Sequence, residues 1–175
     1  MNFTFETQYT AETMTAMAKV LRKTIRKKKN RWAHILGWTG IVLGVLVIAL
    51  NTASDGFMWS FHAAITFIPI PLILMVLFFE DRINGYIAKR CLLPGTERAV
   101  AVFSEDGFTS VTAVGKSEWS YDNIIIIAET ADFFMFIFSE RHVQLYDKRH
   151  IQGGAAEDFR KFIERKTNKS MQLVK

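Results

Sequence analysis

The chain has one cysteine, Cys91, among 175 residues. That excludes an intramolecular disulfide and suits a reduced, cytosolic compartment. GxSxG, HExxH, a P-loop and any cysteine pair are absent too, so the familiar spacings for acyl transfer, zinc hydrolysis and phosphate cradling are missing. The one enzymatic arrangement left to weigh is Cys91 as nucleophile with His142 or His150 as base, and no spacing brings a histidine to it. No catalytic residue, cofactor or metal ligand is expected. The most informative absence is of charge: Asp, Glu, Lys and Arg are missing from Ala33 to Leu50 and again from Phe57 to Phe79.

Each uncharged run is close to the ~20 residues that a helix rising ~1.5 Å per residue needs to cross a ~30 Å hydrocarbon layer. Nine Leu, Ile and Val residues of the first run, from Leu36 to Leu50, together favour insertion by about 3 to 5 kcal/mol, with no charge to offset them. A signal peptide is a poor alternative, because the leader is long and residues 51–56 offer no clear cleavage site. The expectation is a transmembrane helical hairpin over residues 32–79, with Asn51–Gly56 as its turn. Trp32, Trp38 and Trp59 are placed as interfacial anchors. Pro69 and Pro71 are expected to kink the second helix. Two spans without an acid or base make a small transporter or channel subunit a weaker alternative.

Charge elsewhere is positive, +5 overall. Arg26, Lys27, Lys28, Lys29 and Arg31 crowd the approach to the first run, whereas the loop between the runs carries Asp55 and no base. The positive-inside rule then makes the chain multi-pass with both ends in the cytoplasm. Beside a span, such a cluster points to an anionic inner leaflet rather than to nucleic acid. Ala33, Gly37, Gly40 and Gly44 recur at helical spacing. This small-residue face suits close helix packing, either by the second span or by a second copy in a homodimer across Gly40 and Gly44.

The flanking segments read as soluble structure. Phe3–Tyr9 alternates apolar with polar residues, as a half-buried strand does, and Thr10 can cap a following helix. Met14, Met17, Ala18, Leu21 and Ile25 form an apolar stripe on residues 1–31, which fits packing on the later domain or lying among headgroups. Residues 80–95 read as a juxtamembrane helix ending at Pro94-Gly95, its Glu80-Asp81 pair solvated. Residues 96–168 read as a small antiparallel β domain with a hairpin at Asp106-Gly107, a turn at Gly115-Lys116 and a C-terminal helix. The runs Ile124–Thr130 and Phe133–Phe138 call for strands covered on both faces. Residues 169–175 read as a tail. The fold class is a membrane helical hairpin plus a small α+β domain. That domain is expected as a pleckstrin-homology- or GRAM-like barrel or half-barrel, with Phe3–Tyr9 available as a further strand.

Val102-Phe-Ser-Glu-Asp-Gly-Phe108, Glu118-Trp-Ser-Tyr-Asp-Asn-Ile124 and Ala128–Phe136, set behind a strand, a helix and a two-span hairpin, carry a resemblance to the YcxB-like family of small bacterial membrane proteins. A closing Tyr146-Asp-Lys-Arg149 has Asp147 where proline is usual. It implies a cytosolic pleckstrin-homology-like domain on a membrane hairpin and no catalytic residue. The expected function is a non-enzymatic interaction or regulatory module for a protein partner or lipid headgroups. Candidate contacts are Arg26, Lys27, Lys28, Lys29, Trp119, Tyr121, Lys148 and Arg149.

Overall fold

The structure is a computed structural model and describes residues 2–55 and 67–174. Strand β1 (Phe3–Gln8) is followed by helices α1 (Ala11–Lys23), α2 (Lys27–Asp55) and α3 (Pro69–Arg90). Seven strands come next: β2 (Arg98–Phe103), β3 (Phe108–Thr112), β4 (Gly115–Trp119), β5 (Ile126–Glu129), β6 (Phe133–Ile137), β7 (Val143–Asp147) and β8 (Ile151–Gln152). Helix α4 (Ala156–Thr167) and strand β9 (Gln172–Leu173) complete the chain.

The strands form two sheets, ordered β4-β3-β2-β1-β8 and β7-β6-β5-β9, and they do not close into a barrel. All pairings are antiparallel except β5 with β9. Strand β1 lies between β2 and β8, with Phe3 opposite Phe103 and Gln8 opposite Arg98. Residues before the apolar runs thus belong to the same sheet as residues after them, and residues 1–31 are no separate unit. A backbone bond from Asp147 N–H to Thr7 Oγ1 (3.3 Å) ties the edge of one sheet to the other.

Alternation along β1 turns Phe3 and Phe5 to one face, where both are fully buried. They meet Phe103, Phe108, Phe134 and Phe136 in the main core. Helix α4 closes the open side by pushing Phe159 into this group. The Phe159 ring centroid lies 4.6 Å from Phe5, 4.9 Å from Phe103 and 5.0 Å from Phe134. Most of these aromatic pairs meet edge to face or tilted, the arrangements that ring quadrupoles favour. Acidic Glu157 and Asp158 occupy the first turn of α4, and Asn168 ends it in the left-handed region at φ 52°.

Strand β6 is buried at every residue, as the unbroken apolar run requires. Phe134 and Phe136 face the main core, while Phe133, Met135 and Ile137 face a second cluster with Leu145 and Val20. Val20 belongs to α1, whose Ala16, Met17 and Leu21 pack there too. The apolar stripe of α1 therefore covers the back of a sheet and not a headgroup layer. Thr10 caps α1 as expected, with Thr13 returning a side-chain bond to the Thr10 N–H at 2.8 Å.

Several expectations are corrected. Helix α2 continues through Asn51–Asp55, where a turn was expected, because nothing there forbids helical backbone. Of the second apolar run, residues 57–66, which include Trp59 and His62, lie outside the described residues, as does Gly56. Pro69 and Pro71, where a kink was expected, follow a helical Phe67 and a turn at Ile68, and the segment before Phe67 lies outside the described residues. They stand in the first turn of α3, where a missing N–H costs no intrahelical bond. That helix runs unbroken into the juxtamembrane segment. The β3–β4 turn is Ala113-Val114, since Gly115 and Lys116 already pair with Thr112 and Val111. The expected tail contributes β9, with Gln172 beside Ala128 and Leu173 beside Glu129.

Candidate functional site at the base of the helix pair

Helices α2 and α3 lie side by side. Ideal Cβ atoms built on Gly37, Gly40 and Gly44 would come within 3.1 Å of Leu77, 3.8 Å of Ile73 and 3.3 Å of Ile70. The small-residue face is thus covered by α3 of the same chain, and pairing of two copies across it would require α3 to move. The outward faces stay bare: Trp32, Leu36, Val42 and Leu50 on α2, and Phe78 on α3, are among the exposed apolar side chains. Lys27–Leu50 is long and apolar enough to cross a membrane, with a mean hydropathy of 2.2 and none of its apolar window buried inside the protein.

At its polar end the pair is bolted to the β domain through α1. Gly85 of α3 touches α1 so closely that a Cβ there would stand 2.6 Å from Thr15 N and 2.7 Å from Thr15 Cα. Arg22 of α1 donates two bonds to Asp81 of α3, Nε to Oδ1 at 2.7 Å and Nη2 to Oδ2 at 2.6 Å. Glu80 is engaged from α2. The Asn30 amide, oriented to satisfy both its ends, donates to the two Glu80 oxygens at 2.6 and 2.8 Å and accepts from His34 Nε2 at 3.3 Å. His34 Nε2 is also 3.2 Å from Glu80 Oε2. Glu80 and Asp81 are therefore not simply solvated carboxylates. Each joins two helices.

Two clefts open at this end. One, of about 480 Å³, lies between α2 and α3 along Ala33, Gly37, Ile73, Val76 and Leu77 and ends at Asn30, Glu80 and Asn84. The other, of about 280 Å³, shares Asn30, Ala33, Glu80 and Asn84 and is flanked by Arg22, Arg26, Lys29 and Arg141, with Glu140 beside them. Arg26 reaches across to the β6–β7 turn, donating to the Glu140 carbonyl from both Nε and Nη2. Lys27 lines a separate groove with Arg31 and β9, and Lys28 is exposed beside it.

The candidates on the β domain have structural duties. Lys148 Nζ donates to Glu129 Oε1 and to the Thr130 carbonyl, both at 2.6 Å, and its side chain is 16% exposed. Arg160 grips the same buried Glu129 with two bonds of 2.7 Å. Burial alone would raise the Glu129 carboxyl. The hydrogen bonds from Arg160 and Lys148 outweigh burial and hold it below its ordinary value. Arg149 is exposed but clasps Asp147, whose carboxyl is likewise held low against burial by the Arg149 side chain and backbone N–H. Tyr121 donates its hydroxyl to the Ser104 carbonyl at 2.7 Å, and burial drives its ionisation far upward. Trp119 stacks on His142, centroids 4.9 Å apart, and its buried Nε1 has no hydrogen-bond partner among the described residues. Cys91 is exposed at the end of α3, His142 packs on Trp119 and Phe138, and His150 lies 3.5 Å from Asp147. No contact joins that cysteine to either histidine among the described residues.

Sequence reasoning missed Asn30, Glu80, Asn84 and Arg141. Their signal is tertiary, since only the meeting of α1, α2, α3 and the β6–β7 turn brings them together. Residues 103–163, from the end of β2 through most of α4, match the family model described as YcxB-like protein. The chain carries a YcxB-like domain. Within this YcxB-like region lie β3 to β8, whereas β1 and the three preceding helices fall outside the match. No curated protein and no solved structure matches the chain.

Proposed function

We propose that this protein is a non-enzymatic interaction module tethered to the bacterial inner membrane. In this reading α2 and α3 cross the bilayer as a hairpin, multi-pass, with both chain ends cytoplasmic. The sandwich and its C-terminal helix act as a pleckstrin-homology-like domain, held at the membrane face to engage a partner or lipid headgroups. The observation that carries the proposal is the contrast along α2 and α3. Their outward faces are apolar and uncovered, while their polar ends are locked to the domain by Arg22–Asp81 and Gly85–Thr15. A soluble protein rarely leaves so large an apolar surface bare. The basic belt Arg26, Lys27, Lys28, Lys29 and Arg31 at the foot of α2 supports the cytoplasmic orientation and attraction to anionic lipid. The antiparallel runs β1–β4 and β5–β7 and a closing helix support the pleckstrin-homology-like comparison.

The single exposed cysteine tests the orientation without mutagenesis. A membrane-impermeant maleimide is expected to label Cys91 in inverted inner-membrane vesicles and not in intact spheroplasts. Labelling from the outer side would overturn the proposed topology. Recovery of the protein in the soluble fraction would overturn the tether itself.

A further inference from the structure

The apolar and the cationic cleft at the base of the helix pair adjoin, sharing Asn30, Ala33, Glu80 and Asn84 as walls. We propose that the adjoining clefts together seat one phospholipid of the surrounding membrane. An acyl chain lies between α2 and α3, and the phosphate sits among Arg26, Lys29 and Arg141. The inference rests on the proposed membrane insertion, which supplies the ligand.

The shape argues for a molecule with two unlike ends. The apolar limb, at about 480 Å³, falls within the roughly 300–1,000 Å³ of small-molecule sites and is lined by Ala33 and Gly37. The polar limb, at about 280 Å³, presents four cations against two carboxylates. One cation, Arg22, is neutralised by Asp81, and one carboxylate, Glu80, is held by Asn30 and His34. What remains is three cations against two carboxylates, Glu80 and Glu140. Lys29 and Arg141 are open toward the limb, and Arg26 adds its charge while its Nε and Nη2 donate to the Glu140 carbonyl. This net positive balance favours an anionic group. Guanidinium groups suit phosphate oxygens because their fork can donate two bonds at once. A free phosphate would leave the apolar limb unfilled, and a bare hydrocarbon would leave the cations unmatched. An anionic glycerophospholipid satisfies both ends, with its glycerol region near Asn30 and Asn84.

The test is native mass spectrometry of the full chain, extracted from membranes in mild detergent and supplied with phosphatidylglycerol, phosphatidylcholine or inorganic phosphate. One bound phospholipid per chain is expected, with phosphatidylglycerol preferred. Ala33→Trp and, separately, Val76→Trp fill the apolar limb and should each weaken the affinity for the lipid by about tenfold, a change of about 1.4 kcal/mol. The pair Lys29→Glu and Arg141→Glu should abolish the preference for phosphatidylglycerol over phosphatidylcholine. Inorganic phosphate should not displace the lipid. A wild-type chain embedded in membranes but carrying no lipid would overturn the seat alone. So would wild-type affinity in the tryptophan variants, or displacement by phosphate, which would mark a free-anion site. A chain recovered in the soluble fraction would overturn the tether and the seat together.

Discussion

At the scale of single residues, two glycines of similar helical setting have opposite roles. The Gly40–Gly44 step looks like the sensitive one in sequence, yet a methyl at Gly40 would meet only Ile73 Cδ1 at 3.8 Å, an ordinary contact. Gly85 carries no motif, yet a methyl there would run into the backbone of α1 at Thr15. Gly85→Ala should therefore destabilise the protein by about 1–3 kcal/mol, the usual range for overpacking, and Gly40→Ala should be nearly silent. The apparent melting temperatures of the two variants in detergent check this, and an equal loss in both would contradict it. Glu129 offers a second test. Glu129→Gln leaves Arg160 and Lys148 facing a neutral amide in a site only 4% exposed, a loss of about 3 kcal/mol. The pH dependence follows from the same contacts. The Glu129 and Asp147 carboxyls are held below their ordinary values of 4.5 and 3.8, so their contribution is complete above those values. It is lost as pH falls through the lowered folded-state values. The unfolding midpoint should begin to fall below about pH 6.5, where His142, held low by burial, is protonated more readily in the unfolded chain, and drop further below about pH 4.5. Glu129→Gln should show a shallower acid drop than the wild type.

At the scale of elements, β1 is the piece whose removal matters most to the domain. It supplies Phe3 and Phe5, both fully buried, and pairs on both edges. Losing even one such phenylalanine costs about 3–5 kcal/mol. Residues 96–174 alone should therefore fail to melt cooperatively. Residues 2–26 joined to 93–174 by a flexible linker of about twelve residues, whose ~19 Å reach matches the ~20 Å length of α1, should restore a cooperative transition. Circular dichroism on heating distinguishes the two, and equal behaviour would refute the dependence on β1. Much of this level is readable from local chemistry. Asp106-Gly107 marks the β2–β3 turn, the uninterrupted Phe133–Ile137 demands cover on both faces, and Thr10 announces the start of α1. What local chemistry does not carry is who covers what. Nothing near Lys148 in sequence says that its ammonium is consumed by Glu129, and nothing in Gln172-Leu173 announces pairing with β5. Asn51–Asp55 misleads because turn-forming residues at the end of a long helix are tolerated inside it.

At the scale of the whole molecule, the two sheets, α1 and the helix pair form a continuous stack in which α1 is the middle layer. Val20 faces β6 and β7 while Thr15 and Arg22 face α3. One small contact shows how this stack is threaded. The Tyr9 N–H donates to the Glu97 carbonyl at 2.7 Å, so the chain leaves the sheet and returns to it at the same point. Everything from residue 10 to residue 96 is an excursion. The entropy of closing so long a loop grows only slowly, by about 0.6 kcal/mol for each doubling of length, so the burden of this arrangement is temporal. During synthesis β1 emerges first and must wait for β2, and α1, α2 and α3 are all made before its partner strand exists. If α2 and α3 insert as proposed, the bilayer takes them up while Phe3 and Phe5 are still unpaired. The domain then completes its core only on a chain that is already in the membrane. Assembly order would thereby leave Phe3 and Phe5 uncovered for the whole time that residues 10 to 96 are made.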